Sequence, residues 1–345
     1  MAGLVPAIHV FVWPEVQDAD ARDKRGHDHS IKYDPALKYY RALMAERTRV
    51  QLFVDSIVGA LVAGLLGAIK WFDRRRSADF AGALMRRIGP LLPEHRVGRE
   101  NLRAAFPQKS EAEIEKILAG VWDNLGRIAV EFAHLDEFCI ADFGRQTRDV
   151  ITYTLETKIR YDTMAASGHA ILGFAAHLAN WELPAVVAKT LGTNAAILYR
   201  RPNIAAVSDL IVKMREPLMG RLIANSLAAP VQMARLAHEG AHVGMLVDQH
   251  YTKGVEVIFF GRRCMANPLI AQLARQTGCP IHGLRVIRNP DGNSFVAEIT
   301  EEITPVRDAN GEIELTGTMQ AITAVVERWV RETPEQWLWL HRRWR

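Results

Sequence analysis

His177 and Glu182, five positions apart in HLANWE with four residues between them, are the residues whose types and spacing first suggest chemistry. An imidazole titrating near neutrality suits removal of a proton from an alcohol. A carboxylate on its other ring nitrogen would fix the tautomer and stabilise the imidazolium that forms. Asn180 and the free N–H groups of a new helix would add donors for an anion or an oxyanion. The plainer reading is a buried histidine beside a helix-start glutamate, since short spacings recur by accident.

Five positions on a continuous helix turn two side chains apart by roughly 140°. The pair can therefore meet only if His177 lies on a turn and Glu182 in the first helical turn. The flanking residues predict this. Ala170 to Ala176 is an apolar run suited to a buried strand, and an amphipathic run ends at Lys189 and Gly192, a helix with a glycine stop. The carboxyl end of a buried strand is where open α/β sheets place ligands.

Asp248 ends a second apolar run, HVGMLVDQH, and so is expected at a carboxyl end facing the same crevice; aspartate is equally a common turn residue there. On a helical wheel begun at Ile204, Ile211 and Arg215 lie within about 20° of the origin and Lys213 roughly opposite. Arg215 thus projects along an apolar face before Pro217 and needs an anion. Asp248, Glu216 or a substrate phosphate would each serve. Arg200 and Arg201 follow another strand in LYRRPN, as phosphate ligands or as solvated loop charge.

These residues need a scaffold, and from Ala170 onward strand and helix patterns alternate. Strands are expected at Ala195–Tyr199, Val243–Val247, Pro280–Ile287 and Ser294–Ile299, the last two joined by a turn at Asn289–Pro290–Asp291–Gly292. Helices are expected at Asn203–Glu216, from Asn267 to about Gln276, and through Met319, Ile322, Val325, Val326 and Trp329. Such alternation predicts an α/β fold, a mostly parallel central sheet flanked by helices. Upstream, Ser110 and Glu113 form a capping-box signature. Ile114, Ile117, Leu118, Val121, Leu125, Ile128 and Phe132 then mark one face of a long helix.

Three regions are expected: an N-terminal extension over 1–49, poorly ordered; a membrane-anchor segment over 50–76; and a catalytic domain over 77–345. The extension carries prolines and a charged, turn-prone run, and its apolar start lacks the basic region of a secretory signal. Within the anchor the uncharged core, Ser56 to Ile69, has fourteen residues, against the roughly 20 that span a bilayer. Trp71, Phe72 and Arg74–Arg75–Arg76 follow as headgroup anchors would. Spanning and interfacial insertion both remain open; a buried core helix is the alternative.

The chain is 49% hydrophobic and 24% charged, with net charge +4 and a sequence pI near 9.0. That is a globular composition, mildly basic, suited to an anionic membrane surface or a phosphorylated substrate. No nucleic-acid motif is present, so no nucleic-acid partner is expected. Cys139, Cys264 and Cys279 show no zinc or disulfide spacing and are read as reduced thiols.

HLANWEL at 177–183, YRRPN at 199–203, DQHYTKG at 248–254 with IFFGR at 258–262, and PEQWLWLHRRWR at 334–345 together carry a resemblance. From about residue 50 to the end the chain resembles the bacterial lipid A biosynthesis acyltransferases, the late lauroyl/myristoyl transferases of the lysophospholipid-acyltransferase-like group. The resemblance implies an enzyme at the bacterial inner membrane, facing the cytoplasm. It implies transfer of an acyl chain from acyl carrier protein to a hydroxyl of a lipid A precursor, without a metal or other cofactor. By position it makes His177 the general base, Glu182 its acidic partner, and Arg215 and Asp248 residues of the site. Asn180 and Arg200 are further expected contacts to substrate. The alternatives are another membrane-lipid acceptor (a lysophospholipid, glycolipid or aminolipid), a metal-dependent hydrolase using His177, Glu182 and Asp248, and a non-catalytic membrane-binding protein. The closing Trp337 and Trp339 are expected to be structural.

Overall fold

The computed structural model describes residues 54–140, 150–202 and 204–344; the expected extension over 1–49, residues 50–53 and Asn203 lie outside them. The chain forms two units, residues 1–68 with 201–213, and residues 69–200 with 214–345.

In the first unit, helix α1 covers residues 54–69 and leaves Val54, Ile57, Leu61 and Leu65 exposed at helical spacing. Gly59 lies against Ala206, where an added Cβ would come within 2.5 Å of the alanine methyl. Among the described residues no helix is long and apolar enough to cross a membrane.

The second unit is built on an eight-stranded sheet in the order β1-β2-β10-β9-β3-β6-β4-β5. Its strands are β1 (Cys139–Ile140), β2 (Val150–Tyr153), β3 (Leu172–Ala175), β4 (Ala195–Tyr199), β5 (Arg221–Ala224), β6 (His242–Leu246), β9 (Ile281–Arg288) and β10 (Phe295–Glu302). All neighbours are parallel except β9 and β10, which the Asn289–Gly292 turn makes into a hairpin. Gly292 takes φ +73° there, and the Asn289 N–H donates to the Ser294 carbonyl at 2.9 Å. A separate hairpin pairs β7 (Val255–Phe259) with β8 (Arg262–Ala266). The sequence signals miss it because its turn is Phe260–Gly261, with φ +52° and +70°, and phenylalanine there is not a turn signature.

Helices α2 (Arg74–Ile88), α3 (Pro93–Ala105), α4 (Glu111–Ala133), α5 (Leu155–Ser167), α6 (Leu183–Thr190), α7 (Ala205–Met219), α8 (Ala229–His238), α9 (Leu269–Thr277) and α10 (Leu315–Glu332) are the remaining described α-helices. The capping box forms as expected, the Ser110 N–H donating to Glu113 at 2.8 Å. Every expected apolar residue of α4 is buried. So are the five marked on α10. Helix α7 runs past its expected end at Glu216, through Pro217 to Met219.

One basic residue departs from its expected place. Arg74, read as a headgroup anchor, is buried, with its guanidinium 4.5 Å from the Phe138 ring and 3.6 Å from Glu137. Stacking on an aromatic face beside a carboxylate satisfies a buried guanidinium. Arg76 remains exposed.

Candidate active site

Strands β3 and β6 are neighbours, with Ala175 opposite Leu246. His177 and Asp248 each lie two residues beyond that pair, so parallel register sets them side by side at the carboxyl ends. The His177 ring and the Asp248 carboxylate meet, Nδ1 to Oδ1, at 2.8 Å. The His177 backbone N–H donates to Oδ2 at 2.9 Å, and the Trp337 indole N–H donates to the same oxygen at 2.7 Å.

Burial by itself would raise the Asp248 carboxyl. The charge and ring hydrogen bond of His177 outweigh it and, with His341 and the backbone N–H, hold Asp248 well below the usual carboxylate range. An ionised carboxylate only accepts, so Nδ1 carries the proton, and in the neutral form of the ring Nε2 is the acceptor nitrogen. The Gln249 amide nitrogen lies 3.2 Å from Nε2, an N–H donor where a substrate hydroxyl would sit. The His177 side chain keeps 11% of its surface exposed and Asp248 only 1%, so the imidazole is reachable while its partner is sealed behind it.

The expected partner of His177 was Glu182, and here the structure corrects the sequence reading. Glu182 does occupy the helix start, as the N-cap of α6, but no hydrogen bond joins it to His177 among the described residues. It pairs with Arg215 instead. Arg215 therefore takes neither Asp248 nor Glu216, and its charge is already matched by a buried carboxylate. Its Nε is buried without a partner, and its guanidinium lies 5.4 Å from the Phe132 ring. Among the described residues no group of three or more His, Cys, Asp or Glu side chains is placed to hold a metal ion.

Asn180 is likewise redirected. It is fully buried, donates to Glu131 at 2.9 Å and accepts from the Glu182 N–H at 3.1 Å. It shapes the loop and presents nothing to a substrate oxyanion. Arg200 stands exposed directly after β4.

The HLANWE turn is held by a polar network that the sequence reading missed. Glu131, fully buried on α4, binds Arg288 of β9 through both oxygens, the Nη2 contact at 3.0 Å. Arg288 Nε donates to Asn124 at 2.9 Å, and Asn124 donates to the Ala179 carbonyl at 3.0 Å. Ala179 is held at φ +45°, sparsely populated for a residue with a Cβ. The available signal was the seven-residue spacing of Asn124 and Glu131, two turns apart on one helix face.

The C-terminal segment closes the turn from the other side. Leu178 and Trp337 form an antiparallel bridge, the Leu338 N–H donating to the His177 carbonyl at 3.1 Å and the Ala179 N–H to the Gln336 carbonyl at 2.9 Å. Trp337 and Trp339 are buried, as expected of structural residues.

The profile of the bacterial lipid A biosynthesis acyltransferase family matches residues 47–345. The chain belongs to this family. It is an acyltransferase of lipid A synthesis, and its family region contains every element just described. No match is found among curated proteins.

The acyltransferase also carries a built-in response to acid. Burial pushes the His341 ring down to about 4 against the pull of Asp248, from an ordinary value of 6.5. Between those values the unfolded chain binds a proton that the folded chain refuses. Stability is therefore full above about 6.5 and is lost as pH falls toward about 4. Urea midpoints measured from pH 7 to 4.5 should fall, and His341→Gln should flatten that fall; an equal slope in the variant would contradict the assignment.

Proposed function

We propose that the acyltransferase moves an acyl chain from an acyl carrier protein thioester to a hydroxyl of a lipid A precursor of the Kdo-lipid IVA type, with His177 as general base. The observation that carries this reading is the 2.8 Å contact between Nδ1 and a buried, ionised Asp248, which leaves Nε2 free to accept. The acceptor hydroxyl displaces the Gln249 amide from Nε2 and gives up its proton there. Its oxygen attacks the thioester carbonyl carbon. The tetrahedral intermediate collapses with cleavage of the C–S bond, and the departing sulfur takes the proton back from the imidazolium. Asp248, not Glu182, stabilises that imidazolium. Arg200 is the cation we assign to an acceptor phosphate. Arg215 is already matched by Glu182 and holds α7 to the start of α6.

Membrane docking at the cytoplasmic face of the inner membrane fits the surface of α2. Arg76, Phe80, Leu84 and Arg87 lie at helical spacing and are exposed, Phe80 at 71%, with exposed Trp71, Phe72 and Leu91 at the helix flanks. An apolar stripe bordered by arginines suits an anionic lipid interface. Phe80→Asp with Leu84→Asp should weaken binding to vesicles containing an anionic lipid by at least about tenfold; unchanged co-sedimentation would remove this face from the docking surface.

The test of the reaction is direct. Purified enzyme receives acyl carrier protein thioesters with either a lipid A precursor or a lysophospholipid, and products are followed by mass spectrometry. A precursor heavier by one acyl chain is the expected result. Acylation of the lysophospholipid alone would replace the proposed acceptor.

A further inference from the structure

We propose that Trp337 is a positioning residue for acyl transfer: its indole N–H locks the Asp248 carboxylate in the orientation that serves His177. The inference rests on the reading of His177 as the base and adds a residue from the far end of the chain to its support.

Three donors meet Asp248. Oδ1 faces Nδ1 of His177, while Oδ2 takes both the His177 backbone N–H and the Trp337 indole N–H. A carboxylate with one oxygen doubly occupied cannot rotate to exchange its oxygens without breaking two bonds in a buried site. The backbone N–H comes from His177 itself. Trp337 is therefore the side-chain donor that ties the carboxylate to another part of the fold. An indole offers one donor and no acceptor, so it bonds more strongly to the ionised carboxylate than to the neutral acid and disfavours protonation.

Trp337 has little freedom of its own. Its backbone is bridged to Leu178, one residue after the base. Its ring packs edge-on against Phe259 at 5.5 Å, Trp339 at 4.6 Å and His341 at 5.2 Å. The same segment grips the next residue, Arg343 donating to the Gln249 carbonyl at 3.2 Å. The titratable and charged groups bearing on the carboxylate are the His177 ring, the buried His341 ring and the Arg343 guanidinium. Nearby Glu182 is matched by Arg215.

The experiment compares full-length wild type with Trp337→Phe, which keeps an aromatic ring and deletes the donor. Losing one donor leaves the carboxylate more basic, so it holds the imidazolium harder. The expected result is a kcat lower by about tenfold or more, KM for both substrates within about twofold, and the acid limb of kcat/KM moved up by about half a pH unit. A parental kcat, or a lower kcat with an unmoved limb, overturns the proposal. If the phenylalanine variant does not fold, benzothienylalanine placed at 337 keeps the bicyclic shape without the N–H and must give the same shift. His177→Ala is run beside them. Full activity in that variant would sink the base assignment, whereas an inactive His177→Ala beside a parental position-337 variant would sink only the role of Trp337.

Discussion

His177→Ala should lose on the order of 10² to 10⁴ in kcat while remaining folded, because general-base assistance to a hydroxyl nucleophile is typically worth that much. The ring is reachable at its edge, and after its removal Asp248 keeps the His177 backbone N–H and the Trp337 indole N–H as donors. Asp248→Asn should fall into the same range by another route. An amide can present an N–H to Nδ1, which favours the tautomer with its proton on Nε2, the wrong nitrogen for a base. The two losses should not add when combined, because both act on one proton transfer. Steady-state kinetics of the two single variants and the double variant test this. Multiplicative losses would mean that His177 and Asp248 act independently, against their 2.8 Å contact.

Arg288→Met should destabilise the fold by about 3–5 kcal/mol, the usual consequence of removing one partner from a buried ion pair. Glu131 is fully buried and takes Arg288 on both of its oxygens. The remaining donor on it, from Asn180, cannot match a full charge. Activity should fall further than stability alone accounts for, since the same guanidinium supports Asn124 and, through it, the Ala179 carbonyl in the turn after His177. Combining Arg288→Met with Glu131→Leu removes the stranded charge and should recover most of the stability. It should not recover turnover, because the donor to Asn124 is still absent. Urea denaturation paired with initial rates separates the two effects. Recovery of both together would show that the network is structural and plays no part in shaping the turn.

The family match leaves the chemistry of the site to be carried by particular side chains, and these were unequally legible in the sequence. His177 could be found from its immediate surroundings. An apolar run of strand length, a polar hexapeptide and a helix with a glycine stop define a strand–turn–helix unit, and local periodicity encodes each part. Helix α4 was equally readable, because its capping box and apolar face depend on neighbours within a few residues. The β9–β10 hairpin followed from the Asn289–Gly292 turn chemistry in the same way.

The partner of His177 was another matter. Spacing favoured Glu182, five residues away, over Asp248, 71 residues away. That choice turns on sheet order, which no local pattern contains. Once β6 lies beside β3 in parallel register, the residues two positions past each strand are neighbours, and Asp248 reaches Nδ1 first. Glu182 is then left to Arg215, a residue whose need for an anion was visible on a helical wheel but whose partner was not. Asn124, Glu131 and Arg288 escaped notice for the same reason, and Trp337, read as structural, gave no sign of its bond to Asp248. A polar residue in an apolar pattern reveals that it needs a partner, and only the assembled sheet, with α4 and the C-terminal segment packed on its active end, decides which one it has. The sequence by itself thus determined the strand–turn–helix unit that carries His177 and the elements built on local periodicity. Tertiary structure decided the pairing of charges, because complementarity between buried groups is set by distances across the fold and not by distance along the chain.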